Sequence, residues 1–290
     1  MVNCNCFLDR CGKKISNEQR IKIYNKIESI VSYEPRVGIF GKTGAGKSSL
    51  CNALFGQQIC KISDVEACTR RQQEITLNIS NKKGIKVIDV PGVGENTDRD
   101  VEYGKLYSNL MPSLDVILWV LKADERAYAS DEKIYKKIVK PFLDNGKPFF
   151  FVLNQSDKVE PFREWNEQKH EPGPNQFVNI DRKVQYVADC FSIPASKIVP
   201  VSANEQYNMI KLVDEIVYAL PQEKQFSMFT NVNKKFRSAQ TTENVKESLW
   251  KVIFNAIGNV IDSIDDGISG VKEKVEDILD DFVDWLFKKK

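Results

Sequence analysis

Residues 37–55 read Val37-Gly38-Ile39-Phe40-Gly41-Lys42-Thr43-Gly44-Ala45-Gly46-Lys47-Ser48-Ser49-Leu50-Cys51-Asn52-Ala53-Leu54-Phe55. A short apolar run ends at Phe40. Gly41–Ser48 then fits G-x-x-x-x-G-K-[ST], and an amphipathic stretch through Leu50 and Leu54 follows. A strand, a glycine loop and a helix in that order make a site for phosphate. Gly41, Gly44 and Gly46 let the backbone wind so that successive N–H groups point inward, those of Lys42, Thr43 and Ala45 among them. The helix that opens near Lys47 adds the positive end of its dipole, and Ser49 lies in its first turn. Lys47 is a compact charge able to reach the β- and γ-phosphates, and the Ser48 hydroxyl suits Mg²⁺.

Outward from this loop, apolar runs alternate with amphipathic ones. Strands are expected at Glu74–Ser80, Ile85–Val90, Val116–Leu121, Phe149–Leu153 and Ile198–Val201, with helices near 130–143, 177–191 and 208–219. Val116-Ile117-Leu118-Trp119-Val120-Leu121 is apolar throughout, as a strand buried on both faces should be. The expected fold class is α/β, a mostly parallel sheet with helices on both faces. The polar, proline-rich segment 158–176 is read as an excursion from the core.

Asp89-Val90-Pro91-Gly92 ends one of these strands, where ligands of open α/β sheets bind. Asp89 is expected in the Mg²⁺ shell and the Gly92 N–H on the γ-phosphate; Thr69 is nominated as a second Mg²⁺ ligand on order and spacing. Val93-Gly94-Glu95 follows Gly92 with no glutamine to orient a water, so hydrolysis must be slow or assisted by a partner or by dimerisation.

Asn154-Gln155-Ser156-Asp157 follows the strand 149–153. A carboxylate at Asp157 accepts both the ring N–H and the exocyclic amine of guanine, whereas adenine offers no such pair of donors. An acceptor left unpaired costs about 1–3 kcal/mol, enough to separate GTP from ATP. Asn154 would bond the base and brace its neighbours, and the amides of Ser202-Ala203 would meet the guanine oxygen.

Together GKTGAGKS, Thr69, DVPG, NQSD and VSA resemble, in their unpermuted order, the translation-factor class of GTPases and its Era-like group. VGIFGKTGAGKSSLCNALFG, SDVEACTRR, PGVGE and DVILWVLKADERAYASDE are similar to the bacterial YfjP-type GTPases. The resemblance covers about residues 36–220. It implies a P-loop GTPase that takes GTP or GDP with Mg²⁺, with Lys47, Thr69 and Gly92 in the catalytic group, Ser48, Thr69 and Asp89 around the metal, and Asn154 and Asp157 on the base. Gln155 stands where the family usually has lysine, Gly44 where many members have a potassium-binding asparagine, and Asn204 where a lysine follows the alanine.

Composition adds little. The 290 residues are 42% hydrophobic and 28% charged with a net charge of +2, too balanced for bulk attraction to nucleic acid or lipid. The beginning, MVNCNCFLDR, has neither a basic start nor an apolar run, so a cytoplasmic protein is expected, with the membrane periphery as an option. Cys4, Cys6 and Cys11 are either ordinary thiols or a metal half-site, with the only histidine, His170, far away. Residues 1–35 read as a helical extension, with Ile21, Tyr24, Ile27, Ile30 and Val31 on one face, and 36–220 as the nucleotide-binding domain. Residues 221–290 read as a helical tail. There Leu249, Ile253, Ile257, Ile278, Phe282 and Trp285 form part of an apolar stripe broken near Gly267 and Gly270. The stripe packs on the chain itself, on a second copy or protein partner, or on a membrane surface, the last opposed by seven tail aspartates between 262 and 284. Lys234-Lys235-Phe236-Arg237 is too short a basic run to argue for RNA.

Overall fold

The computed structural model describes residues 16–56, 73–77, 85–89, 109–143, 146–265 and 271–289. Helix α1 (Asn17–Val31) opens on a capping box: the Ser16 hydroxyl accepts from the Gln19 N–H while the Gln19 side chain accepts from the Ser16 N–H. Strand β1 (Arg36–Phe40) and helix α2 (Lys47–Phe55) flank the phosphate loop as expected. Strands β2 (Gln73–Leu77), β3 (Ile85–Asp89), β4 (Val116–Lys122), β5 (Phe149–Asn154) and β6 (Ile198–Pro200) complete one sheet. Its order is β2-β3-β1-β4-β5-β6; β2 runs antiparallel to β3, and the other neighbours are parallel.

Parallel strands covered on both faces need apolar residues at every position, and β4 and β5 show the consequence. Val116, Leu118, Val120, Phe150 and Val152 fill one core; Ile117, Trp119, Leu121, Phe149, Phe151 and Leu153 fill the other. The second core is closed by α3 (Ala129–Ile134), which runs through a π-helical turn at Tyr135–Val139 into α4 (Lys140–Leu143), and by α5 (Pro174–Phe191). The first is closed by α1, α2, α6 (Met209–Ala219), α7 (Gln222–Asn231), α8 (Ala239–Asp265) and α9 (Val271–Lys289).

Helix α1, ahead of the sheet, and α7–α9, after it, therefore share the core beneath the sheet. Asp115 ties them at one point: its carboxylate accepts from the Tyr33 hydroxyl, the Arg36 N–H and the Lys224 ammonium at 2.7–2.9 Å. Three readings of the sequence need adjustment here. Ile21 is 60% exposed, and α1 buries Ile23, Ile27 and Val31, a spacing of four that follows the partner helices. On the tail stripe, Leu249, Ile253, Ile257, Ile278 and Phe282 are buried inside this chain. The buried face of α9 is also wider, taking in Leu279, Val283 and Leu286, because α9 meets α7 as well as α8 through Phe287 on Phe226 and Phe229. Finally, Phe236 is core, and the Arg237 guanidinium donates to the carbonyls of Thr230 and Val232 at the end of α7, so this basic run is partly structural.

Candidate functional site

The phosphate loop leaves the end of β1 through Gly41, whose φ of 133° is open only to glycine; a Cβ there would lie 2.2 Å from the Val120 carbonyl oxygen. At Gly46 the φ is 86°, and a Cβ would strike the Asn154 amide nitrogen at 2.3 Å. Gly46 is the N-cap of α2 and brings no side chain to its first turn, so the N–H groups there are left for a ligand. Lys47 is buried, with its ammonium donating to the carbonyls of Gly41 (2.9 Å) and Lys42 (3.0 Å). Thr43 and Gly44 are exposed, Ala45 is buried, and Ser48 and Ser49 are half-buried in the first turn of α2.

Lys42 itself turns away. Its ammonium pairs with Glu125 (2.8 Å) and with Asp131 (3.0 Å), a carboxylate only 1% exposed that also accepts from the Trp119 indole (3.0 Å). Burial opposes the charge on Lys42, but its two carboxylates outweigh that and raise its pKa; burial likewise pushes the Asp131 carboxyl up, against the opposing pull of Lys42. The loop thus contacts α3 and the segment before it, a tie with no sequence signature because its partners are 83 and 89 residues away in sequence.

The base-side loop leaves β5 at Asn154, which is buried and joins three segments. Its Nδ2 donates to the carbonyls of Ala45 (3.0 Å) and Gly46 (3.4 Å), and its Oδ1 accepts from the Ala203 N–H (3.1 Å). That amide, expected on the guanine oxygen, is engaged by Asn154 here. Ser202 is buried, and its hydroxyl accepts from the Glu205 N–H (3.3 Å). Gln155 adopts a left-handed φ of 61° and lays its amide across the phosphate loop, donating to the Gly44 carbonyl (2.9 Å). One oxygen of Asp157, Oδ1, is buried with no hydrogen-bond partner. Asp157 itself is half-buried, but a buried carboxylate oxygen without a donor is costly and marks a place where a donor belongs. Beside it lies a cleft of ≈ 630 Å³ lined by Lys158, Phe162, Trp165, Glu167, His170 and Glu205.

Asp89 is the last residue of β3 and pairs in register with Ile39, two residues before Gly41. Thr69 and Gly92 lie outside the described residues, as do Cys4, Cys6 and Cys11. Among the described residues there is no cluster of three metal-binding side chains, and His170 instead contacts Glu205 at 2.8 Å. No described helix is long and apolar enough to cross a membrane.

A mostly parallel sheet whose first strand feeds a glycine loop with a buried ammonium, facing a second loop that carries a lone carboxylate, defines a P-loop nucleotide-binding protein. A family model described as 50S ribosome-binding GTPase matches residues 36–155. The chain is 36% identical over 232 residues to YfjP of Escherichia coli (strain K12), covering 80% of this chain and 78% of that one. It is 35% identical to YkfA of the same organism over the same shares, and 32% identical to GTPase Era of Aquifex aeolicus over 64% of this chain and 56% of Era. The chain belongs to the Era-like P-loop GTPases.

Two residues escaped the sequence reading. Gln176, in α5, holds the backbone of the Asp157 loop, and Glu164, ahead of α5, accepts from the N–H groups of Asn175 and Gln176 at the helix start. One signal was available: Gly173-Pro174 is a helix start with proline in the first turn, three residues ahead of where periodicity began the helix.

Proposed function

We propose that this chain is a guanine-nucleotide switch that binds GTP and GDP with Mg²⁺ and hydrolyses GTP to GDP and phosphate slowly. The observation that carries the reading is the buried, unpartnered Oδ1 of Asp157, on a loop that Asn154 joins to the phosphate loop. Guanine would supply the donor that Oδ1 of Asp157 lacks and a second, parallel one to the same carboxylate, with Gln155 along the ring face. The amides of Gly41–Ser49 and the Lys47 ammonium, which donates to two carbonyls of the same loop, would neutralise the phosphates.

The donor set fits magnesium, because Ser48 lies in the first turn of a helix with no side-chain cap, next to the strand that ends in Asp89, and its hydroxyl and the aspartate are both hard oxygen donors. Ser48, Thr69 and Asp89 would hold it, and when bound it neutralises charge between the β- and γ-phosphates. Thr69 and the Gly92 N–H would sense the γ-phosphate and relax after its loss. With no glutamine after Gly92, full rate would need a group from a partner or a second copy. In this reading 36–220 is the nucleotide-binding domain, and the flanks 1–35 and 221–290 carry its state to a partner. The absent glutamine also favours a second reading, a nucleotide-dependent scaffold with negligible turnover.

The test is calorimetric titration with GDP, GTP, ADP and ATP in Mg²⁺, followed by single-turnover hydrolysis across a range of protein concentrations. Binding of guanine nucleotides with adenine ones at least about tenfold weaker is expected; equal binding of the two bases would sink the reading. Turnover that never exceeds the uncatalysed rate selects the scaffold.

A further inference from the structure

The segment between the base-side loop and α5 is built around two side chains whose bonds converge on one short turn. Gln176 is fully buried, and its Nε2 donates 2.9 Å bonds to the carbonyls of both Asp157 and Val159. The amide orientation follows from chemistry: two carbonyl acceptors require the NH₂ group, and the reverse placement would set oxygen against oxygen. Asn179, one turn later, donates to the Glu160 carbonyl at 2.8 Å. The first turns of α5 thus hold the backbone at 157, 159 and 160.

What holds Gln176 is Glu164. Its Oε2 accepts from the backbone N–H groups of Asn175 (2.9 Å) and Gln176 (3.3 Å), and its Oε1 from the Asn175 side chain (2.7 Å). Gly173, the N-cap of α5, makes no side-chain cap bond, so the cap comes from the excursion. Packing does not account for glutamine at 176. Its Oε1 is buried without a hydrogen-bond partner, and a leucine of similar size would fill the space without that loss. The two donated bonds account for it, and both end on the turn that carries Asp157.

A carboxylate that accepts two parallel N–H bonds from a base edge must lie nearly in the plane of that base, within tolerances of about half an ångström and 10–20°. We propose that Gln176, itself held by Glu164, is a positioning residue for base recognition, setting the Asp157 carboxylate so that it reads the 2-amino group of guanine as well as the ring N–H. This rests on the reading of Asp157 given above. The excursion 158–176 is then a specificity element of the nucleotide site.

The experiment uses the full chain and the variants Gln176→Leu, Glu164→Gln and Asp157→Asn. Affinities for GDP and for IDP, which lacks the 2-amino group, are measured in Mg²⁺ by displacing a fluorescent GDP analogue, and competition by inorganic pyrophosphate reports the phosphate loop. Wild type is expected to favour GDP over IDP by about tenfold or more. Gln176→Leu should lower that ratio at least about fivefold with pyrophosphate competition unchanged, and Glu164→Gln should lower it by about twofold. If both nucleotides weaken equally in Gln176→Leu, so that the ratio stays at the wild-type value, Gln176 is a structural brace only and the proposal is overturned. Should circular dichroism show Gln176→Leu unfolded, Glu164→Gln decides by the same ratio. Asp157→Asn separates the two levels. A ratio unmoved there removes the guanine reading itself, whereas a ratio that falls there but not in Gln176→Leu removes only the positioning role.

Discussion

Replacing Asn154 with alanine tests whether the phosphate and base loops form one unit. The side chain is buried and makes three bonds: to the carbonyls of Ala45 and Gly46, and from the N–H of Ala203. The Gly46 contact at 3.4 Å is weak, so two bonds matter. Alanine leaves the Ala45 carbonyl and the Ala203 N–H in a buried region, as Ala45 is 3% and Ala203 6% exposed. Each stranded group costs about 1–3 kcal/mol, and a water entering the vacated space would recover part of it. The expected loss is about 2–4 kcal/mol, a fall in Tm of roughly 3–7 °C for a chain of this size. Thermal unfolding followed by circular dichroism, with and without GDP and Mg²⁺, separates two effects. The nucleotide-free Tm reports the stranded groups. The extra stabilisation by GDP, about 2.7 kcal/mol at a hundredfold excess over Kd, should shrink as well, since the loops no longer hold each other. A nucleotide-free Tm lowered by less than about 2 °C, or a GDP-induced shift equal to that of wild type, would refute the coupling.

Three further outcomes are expected. Lys47→Ala should reduce GDP and GTP affinity by about a hundredfold or more, from a lost charge-assisted contact; near-normal affinity by calorimetry would count against the phosphate loop. Asp131→Ala takes the acceptor from the Trp119 indole and leaves Lys42 with Glu125 as its remaining carboxylate, and should cost about 1–3 kcal/mol in urea denaturation, with no loss meaning that the network is incidental. The Glu164 carboxyl is held below the usual range chiefly by the Asn175 side chain and also by the N–H groups of Gln176 and Asn175. A depressed acid binds fewer protons folded than unfolded, so its stabilisation is complete at neutral pH and is lost as pH falls from about 5 through the folded-state value. Glu164→Gln should flatten that acid limb of a stability-versus-pH curve, and an unchanged limb would contradict the cap.

The phosphate loop was legible because its chemistry lies in consecutive residues: glycines where the backbone must turn toward an anion, a lysine at the helix start. The strands at 116–121 and 149–153 were legible because burial on both faces forbids polar residues. Other features lie in contacts between distant segments, which periodicity cannot see. On α1, Ile21 and Ile23 stand near the edges of two overlapping stripes, and the helices packed against α1 select the second. Gln176 is an ordinary polar residue until α5 turns it under a loop 19 residues earlier.

The end of α2 far from the ligand shows how the flanks join the site. Leu54 offers its carbonyl to the Asn233 N–H at 2.7 Å, and the Asn233 side chain reaches the Ala53 carbonyl at 3.3 Å. Gly56 takes a left-handed φ of 71° there, with Asn233 3.3 Å from where its Cβ would sit. The helix that follows the phosphate loop is thus closed at its other end by the segment after α7. Phe226 and Phe229 of α7 lie in the same core as Leu50, Leu54 and Phe55 of α2. A close-packed helix moves as a body and does not stretch, so a displacement of its first turn on nucleotide exchange would be delivered to α7 and, through Phe287, to α9. The tail thus packs, through α7, in the same core as the phosphate-loop helix, and in the switch proposed above a change of nucleotide would be felt on its exposed acidic residues, Asp277 and Asp280 among them.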